Sequence, residues 1–263
     1  MSGAHEIDHK IGGEDTQHVE IALDPNESVV CEAGAMMYKS PSINMESVFG
    51  DGSSKNQGFF GALAGAGKRL LTGESLFMTV FTHEGQGKAH AAFAAPFPGT
   101  IIPIHLPDVD GELICQKDSF LVAAKGVSVG IALQKKIMTG LFGGEGFIMQ
   151  RLEGDGWCFV HAGGTLIERE LAAGEEIHID TGCVVAYTKT VEFEIERAGN
   201  IKSMIFGGEG VFFAKLRGPG KIWIQSMPFS RLAGRIMANI PLGGSGQGES
   251  SVLGPIGSIV RGN

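Results

Sequence analysis

Apolar and polar residues alternate along this chain in short runs separated by glycine, a period of two that predicts strands rather than helices. Near the N-terminus Glu6, Asp8 and Lys10 interleave with Ile7 and Ile11. In VEIAL, Val19, Ile21 and Leu23 share one face, and Asp24-Pro25-Asn26 supplies the turn that ends the run. The strictest alternation, VEFEIE from Val191 to Glu196, predicts a strand with one acidic face. KIWIQS from Lys221 reads as the last strand, and FSRLAGRI, Phe229 to Ile236, as a terminal helix. From Leu242 onward the tail is rich in glycine and serine and carries no such pattern.

The pattern also repeats over longer distances. LFGGEGFIMQRLEGDG, Leu141 to Gly156, returns 64 residues later as IFGGEGVFFAKLRGPG, Ile205 to Gly220, and in shortened form as GESLFMTVF at Gly73. Upstream of these, the segments beginning at Asn26, Gly111 and Gly174 align without gaps. Each has a Glu (Glu27, Glu112, Glu175), a charged residue (Glu32, Lys117, Asp180), a small residue (Gly34, Ser119, Gly182) and an apolar run, which predicts a strand, a tight turn and a buried strand. Connectors ending KRLLTG and KKIMTG carry a cation before a glycine, the expected helix ending, and predict short helices near residues 60–72 and 128–139. Gly-x-Gly pairs at Gly85/Gly87, Gly154/Gly156 and Gly218/Gly220 read as hairpins. The expectation is one all-β domain over residues 1–240, built from three tandem β-modules at about 16–98, 99–163 and 164–240, followed by a tail at 241–263. The first module carries extra residues in its connector, within GDGSSKNQGFFGAL.

Composition supports the turn-rich reading: there are 41 glycines among 263 residues, well above a usual share of about 7%. The formal charge of −8 opposes a phosphate backbone, so nucleic acid is not an expected partner. The four cysteines, Cys31, Cys115, Cys158 and Cys183, are scattered and show no metal-ligand spacing, which predicts free thiols in a reducing compartment. The N-terminus shows no apolar leader pattern and no run approaches a membrane span, so the expected location is cytoplasmic.

The strings AGAMMY, GDGS, GFFG, KRLLTGESLFMT, ELICQKDSFL, FGGEGFI, GDG, FVHAGGT, DTGCVVA, FGGEG and SMPFSRLAGRI occur in this order, within a resemblance that runs over about residues 5–240. Together they resemble the AIM24 family, formerly a numbered domain of unknown function. The resemblance implies a short double-stranded β-helix module similar to that of the tryptophan RNA-binding attenuation protein, three such modules in one chain, and assembly into a homotrimeric ring. Eukaryotic members are mitochondrial proteins linked to inner-membrane organisation, and the bacterial members have no established activity. The family supplies no catalytic residues.

Candidate chemistry is sparse. The eight histidines form no H-x-H or H-x-x-H pair, so a cupin-type metal centre is not expected, and His161 in FVHAGGT reads as a structural residue of a strand. No G-x-S-x-G or Cys/His arrangement marks a nucleophile, and no cofactor is expected. The Gly-Gly-Glu-Gly loops place an acid where a phosphate would sit, so Glu74, Glu145 and Glu209 read as turn residues, or, brought together, as a cation site. In GFFGALAGAGKRLLTG, Phe60, Leu63 and the leucines at 70 and 71 follow helical spacing. With Phe59, Lys68 and Arg69 they form an apolar stripe with a basic tip, suited to a subunit contact, a protein partner or a membrane surface. The functional expectation is a non-enzymatic, ring-forming scaffold or interaction protein, with a small-ligand or cation-binding ring as the alternative.

Overall fold

Strand formation follows the alternating runs. The computed structural model describes residues 3–49, 77–135, 146–197 and 212–239. In chain order its strands are β1 (Asp8–Gly12), β2 (His18–Leu23), β3 (Ser28–Glu32), β4 (Met36–Lys39), β5 (Ile43–Phe49), β6 (Phe77–His83) and β7 (Ala89–Ala94). Next come β8 (Gly99–His105), β9 (Glu112–Gln116), β10 (Phe120–Ala124), β11 (Ser128–Lys135), β12 (Phe147–Glu153) and β13 (Trp157–Gly163). The last are β14 (Leu166–Leu171), β15 (Glu176–Asp180), β16 (Val184–Thr188), β17 (Glu192–Arg197), β18 (Phe212–Arg217) and β19 (Gly220–Gln225), followed by helix α1 (Phe229–Ala238). The protein is all-β apart from α1 and short 3-10 turns among the described residues.

The strands form four sheets ordered β1-β2-β7-β4, β5-β6-β3-β10-β13-β8, β11-β12-β9-β16-β19-β14 and β15-β18-β17. The third order is the second with six added to every strand number. The first sheet, leaving out β1, and the fourth are the two halves of that same pattern. Neighbouring sheets stack face to face around three apolar layers. Val19, Ile21, Phe81, Phe93 and Phe159 fill the first. Val30, Ile102, Cys115, Val160 and Trp223 fill the second. Ile114, Phe147, Tyr187, Leu216 and Ile222 fill the third. The two middle sheets are therefore covered on both faces, so FLVAA of β10 is buried at every position and cannot alternate. The outer sheets are covered once, and β2 alternates half-buried with buried throughout.

Three expectations change. The helix expected over 128–139 is strand β11 as far as Lys135, and residues 136–139 lie outside the described residues. Val127 and Val129 are buried at alternate positions and the run pairs with β12, so tertiary burial overrides the helix-ending signal. The expected helix at 60–72 also lies outside the described residues. The Gly-x-Gly turns are not hairpins. β6 and β7, β12 and β13, and β18 and β19 each lie in different sheets, so the glycines, with positive φ at Gly87, Gly154 and Gly220, turn the chain between layers. The gap-free alignment slips by one residue in the middle. Glu27 and Glu175 occupy corresponding places and accept from the N–H of Asp24 (2.8 Å) and Ala172 (2.9 Å). Gly111 holds that place in between, and Glu112 instead pairs with Arg151 at 3.1 Å.

One buried polar position has a measurable consequence. His161 on β13 is 2% exposed, and neither ring nitrogen has a hydrogen-bond partner. Burial lowers its pKa from 6.5 to about 4. Between those values the unfolded chain binds a proton that the folded chain refuses, so stability rises with pH there and is lost on acidification. Above neutral pH this group contributes no slope. The expected loss from pH 7 to pH 4 is roughly 3 kcal/mol from this residue. Urea unfolding across that range should show a shallower slope in a His161→Gln chain; an unchanged slope would refute the assignment.

Candidate functional site: two open sheet edges

The middle sheets show how successive six-strand units join. β10 pairs with β3, placing Val122, Ala123 and Ala124 opposite Cys31, Val30 and Val29. β16 pairs with β9 in the same way, placing Ala186, Tyr187 and Thr188 opposite Cys115, Ile114 and Leu113. β4 corresponds to β10 and β16. Met36 and Tyr38 face Phe93 and Ala92 on β7 across a one-residue bulge, as Phe120 and Val122 face Val160 and Phe159, and as Val184 and Ala186 face Ile224 and Trp223. β15 corresponds to β3 and β9. Among the described residues β4 pairs only with β7, and β15 only with β18, so each leaves one row of backbone N–H and C=O groups unpaired.

The side chains register the same vacancy. Met36, Met37 and Tyr38 are 37%, 54% and 45% exposed, whereas Phe120, Leu121 and Val122 are 3%, 3% and 0% exposed. This corrects the expectation of a buried strand after Gly34: the apolar run is present, but among the described residues no strand covers it. Tyr38 is held in place by donating its hydroxyl to Glu20 Oε2, a bond that raises the Tyr38 pKa and lowers that of Glu20. At the other edge, α1 anchors the end of β15 through Arg231 and Asp180 at 3.3 Å, while Asp180 accepts from the Gly182 N–H at 2.9 Å. Ile236 and Met237 on that helix are exposed.

The expected acidic face of VEFEIE is a mixed one. Lys215 lies 3.6 Å from Glu196 and 3.7 Å from Glu176, Arg217 lies 3.9 Å from Glu192, and His178 lies 3.8 Å from Glu196. Cross-strand cations from β18 thus answer the glutamates of β17.

Among the described residues no group of three or more His, Cys, Asp or Glu is placed to hold a metal ion. Cys31, Cys115 and Cys158 are buried thiols, and Cys183, which forms no disulfide, is half-buried. Burial pushes the Cys31 thiol up to about 12 and those of Cys115 and Cys158 well above their ordinary value, so none of these three supplies a thiolate at neutral pH. The sequence candidates Glu74, Glu145, Glu209, Phe59, Phe60, Leu63, Lys68 and Arg69 all lie outside the described residues. No helix among the described residues is long and apolar enough to cross a membrane.

With this geometry in hand, the chain can be placed among known proteins. The family model described as mitochondrial biogenesis AIM24 matches residues 9–227, and the chain belongs to that family. It is 31% identical over 226 residues to an uncharacterized protein of Streptococcus pyogenes serotype M6, covering 85% of this chain and 86% of the relative. A crystal structure of a Streptococcus pyogenes protein is similar at a TM-score of 0.71 and 24% identity, over 89% of this chain and 100% of that one, and indicates a shared fold.

Proposed function

We propose that this protein is a non-enzymatic, ring-forming scaffold: a homotrimer in which β15 of each copy pairs with β4 of the next. The observation that supports it is the pair of open edges, which are the two halves of a junction that the chain completes twice internally. Joining them turns the three-stranded and four-stranded end sheets into one continuous sheet resembling the middle two. A heterologous contact of this kind closes into a ring when its rotation allows, and closure removes every such edge. On this reading the units at about 16–98, 99–163 and 164–240 are three modules, similar to that of the tryptophan RNA-binding attenuation protein, and the assembled ring is cytoplasmic and presents its surfaces to a protein partner.

The two internal registers set the register expected between copies: Tyr38 opposite the next copy's Ile179, and Lys39 opposite its His178. A chain carrying Tyr38→Cys and Ile179→Cys is therefore expected to form covalent dimers and trimers on mild oxidation, with neither single variant doing so. Light scattering of the wild-type protein should give three chain masses. A monomeric mass, or equal cross-linking by the single variants, would reject the ring.

A further inference from the structure

The chain passes from one six-strand unit to the next through the same hydrogen bond. Gly99, at the start of β8, donates its N–H to the Asp15 carbonyl at 2.9 Å, and Gly164, just before β14, donates to the Pro98 carbonyl at 3.1 Å. Each acceptor immediately precedes the residue that holds the donor's place one unit earlier, Thr16 for the first bond and Gly99 for the second. Met227, just after β19, makes the third bond of the series, to the Gly163 carbonyl at 3.0 Å. Beyond it the chain forms α1 instead of a strand. The helix therefore begins where the first strand of a following unit would begin, and in the proposed ring that strand is β2 of the next copy.

The anchoring of α1 points to the same place. Arg231 reaches Asp180 at 3.3 Å, and a Cβ at Gly182 would lie 3.3 Å from Pro228 and 3.4 Å from Ser230, so the helix sits on the turn that follows β15. At the first internal junction the corresponding turn, residues 32–35, encloses a cavity together with residues 94–97 and with Asp118, Phe120 and Leu121 of the following unit. The strand registers carry these positions over to residues 180–183 and 225–228 of one copy and to Gly34, Met36 and Met37 of the next. Met36 and Met37 of the next copy thus arrive at the base of α1.

The helix has an apolar face to offer them. Phe229, Leu232, Ala233, Ile236 and Met237 recur at the spacing of one helical face. Within one copy only the middle of that face is covered: Leu232 and Ala233 are half-buried, whereas Ile236 and Met237 are 56% and 68% exposed. Met36 and Met37 are exposed in the same copy, and methionine side chains adapt to an irregular partner. The charges agree as well. Arg235 on α1, and Glu14 and Asp15 in the segment that enters β2, are exposed and make no ion pair among the described residues.

We propose that α1 is a strap between copies: Ile236 and Met237 cover Met36 and Met37 of the next copy, and Arg235 lies toward its Glu14 and Asp15. The strap rests on the ring reading, because it needs a second copy seated at β15, and it adds to the paired edges a contact outside the sheet.

The test uses the full chain carrying Ile236→Asp and Met237→Asp. Both positions are mostly exposed in one copy, so the fold is retained, which circular dichroism checks. The expected result is a trimer that dissociates on dilution at a concentration at least about tenfold higher than the wild type does. A second chain, carrying Met36→Cys and Met237→Cys, is expected to give covalent dimers and trimers with a short bismaleimide, with neither single variant doing so. Unchanged dissociation of the aspartate chain, or no bridging by the cysteine pair, overturns the strap; the ring stands separately if Tyr38→Cys/Ile179→Cys still cross-links in the aspartate background. A monomeric wild type without that cross-link removes the ring and the strap together. Flotation with phosphatidylglycerol vesicles by the wild type and not by the aspartate chain, at unchanged dissociation, would assign the face to lipid and likewise overturns the strap.

Discussion

Replacing Phe159 with alanine is expected to lower the unfolding free energy by about 3–5 kcal/mol. Phe159 is fully buried at the middle of β13, which is itself paired on both sides, by β10 and β8. Its ring fills the first apolar layer with Phe81 and Phe93 and meets the His9 ring edge-on at 4.8 Å. The surrounding strands are hydrogen-bonded in a sheet covered on both faces, so the gap has little room to collapse and the cavity term is expected near its upper range. Against a typical domain stability of about 5–15 kcal/mol, such a loss moves the chemical denaturation midpoint substantially. Ile167→Ala on edge strand β14, where Ile167 is 46% exposed, is the control and should change stability by no more than about 0.5 kcal/mol. Equal effects of the two substitutions would contradict the stacking of sheets described above.

Stacking also decides which parts of the fold are legible in the sequence. β2 and β17 lie in sheets covered on one face, and their alternation is plain in VEIAL and VEFEIE. β10, covered on both faces, reads only as an apolar run. The β11 segment shows Val127 and Val129 at alternate positions, but the following Lys-Lys and the glycine at 140 imitate a helix ending, and a local signal of that kind does not reveal that β12 lies beside it. Gly-x-Gly announces a tight turn without saying whether the flanking strands pair with each other or part into separate sheets. The all-β class and the family are both readable from the sequence; the layering depends on contacts between residues far apart in it.

The candidate sites divide in the same way. MMYK of β4 ends in a lysine, which FLVAA of β10 lacks, but its Met-Met-Tyr run reads as apolar strand in the same way, and that run alone does not distinguish an exposed edge from a buried one. Its exposure comes from pairing: β10 lies beside β3, whereas no described strand occupies the corresponding place beside β4. His161 likewise looks ordinary within FVHAGGT. Its burial without a hydrogen-bond partner is set by residues far from it in the chain, such as Phe97, whose ring stands edge-on to the imidazole at 4.7 Å.

The open edge yields the second large effect. If the proposed trimer forms through this edge, a chain carrying Met37→Glu and Tyr38→Lys is expected to run as a monomer at concentrations where the wild-type chain gives three chain masses. Both side chains are about half exposed in the single copy, so the change leaves the fold near its original stability, within about 0.5 kcal/mol per site. In the paired state the same positions become as buried as Leu121 and Val122. Fully burying an apolar side chain contributes about 1.5–3 kcal/mol and these two are already half covered, so removing both from each contact weakens it by more than about 10-fold before the added penalty of desolvating charge. Natural sheets use charge in this manner to keep edges apart. Ile167→Lys on β14, whose edge lies away from the β4–β15 contact, should leave the trimer intact. A Met37→Glu/Tyr38→Lys chain that still sediments as a trimer, with an unchanged melting temperature, would show that copies associate through some other surface and that the vacancy at β4 is not the joint.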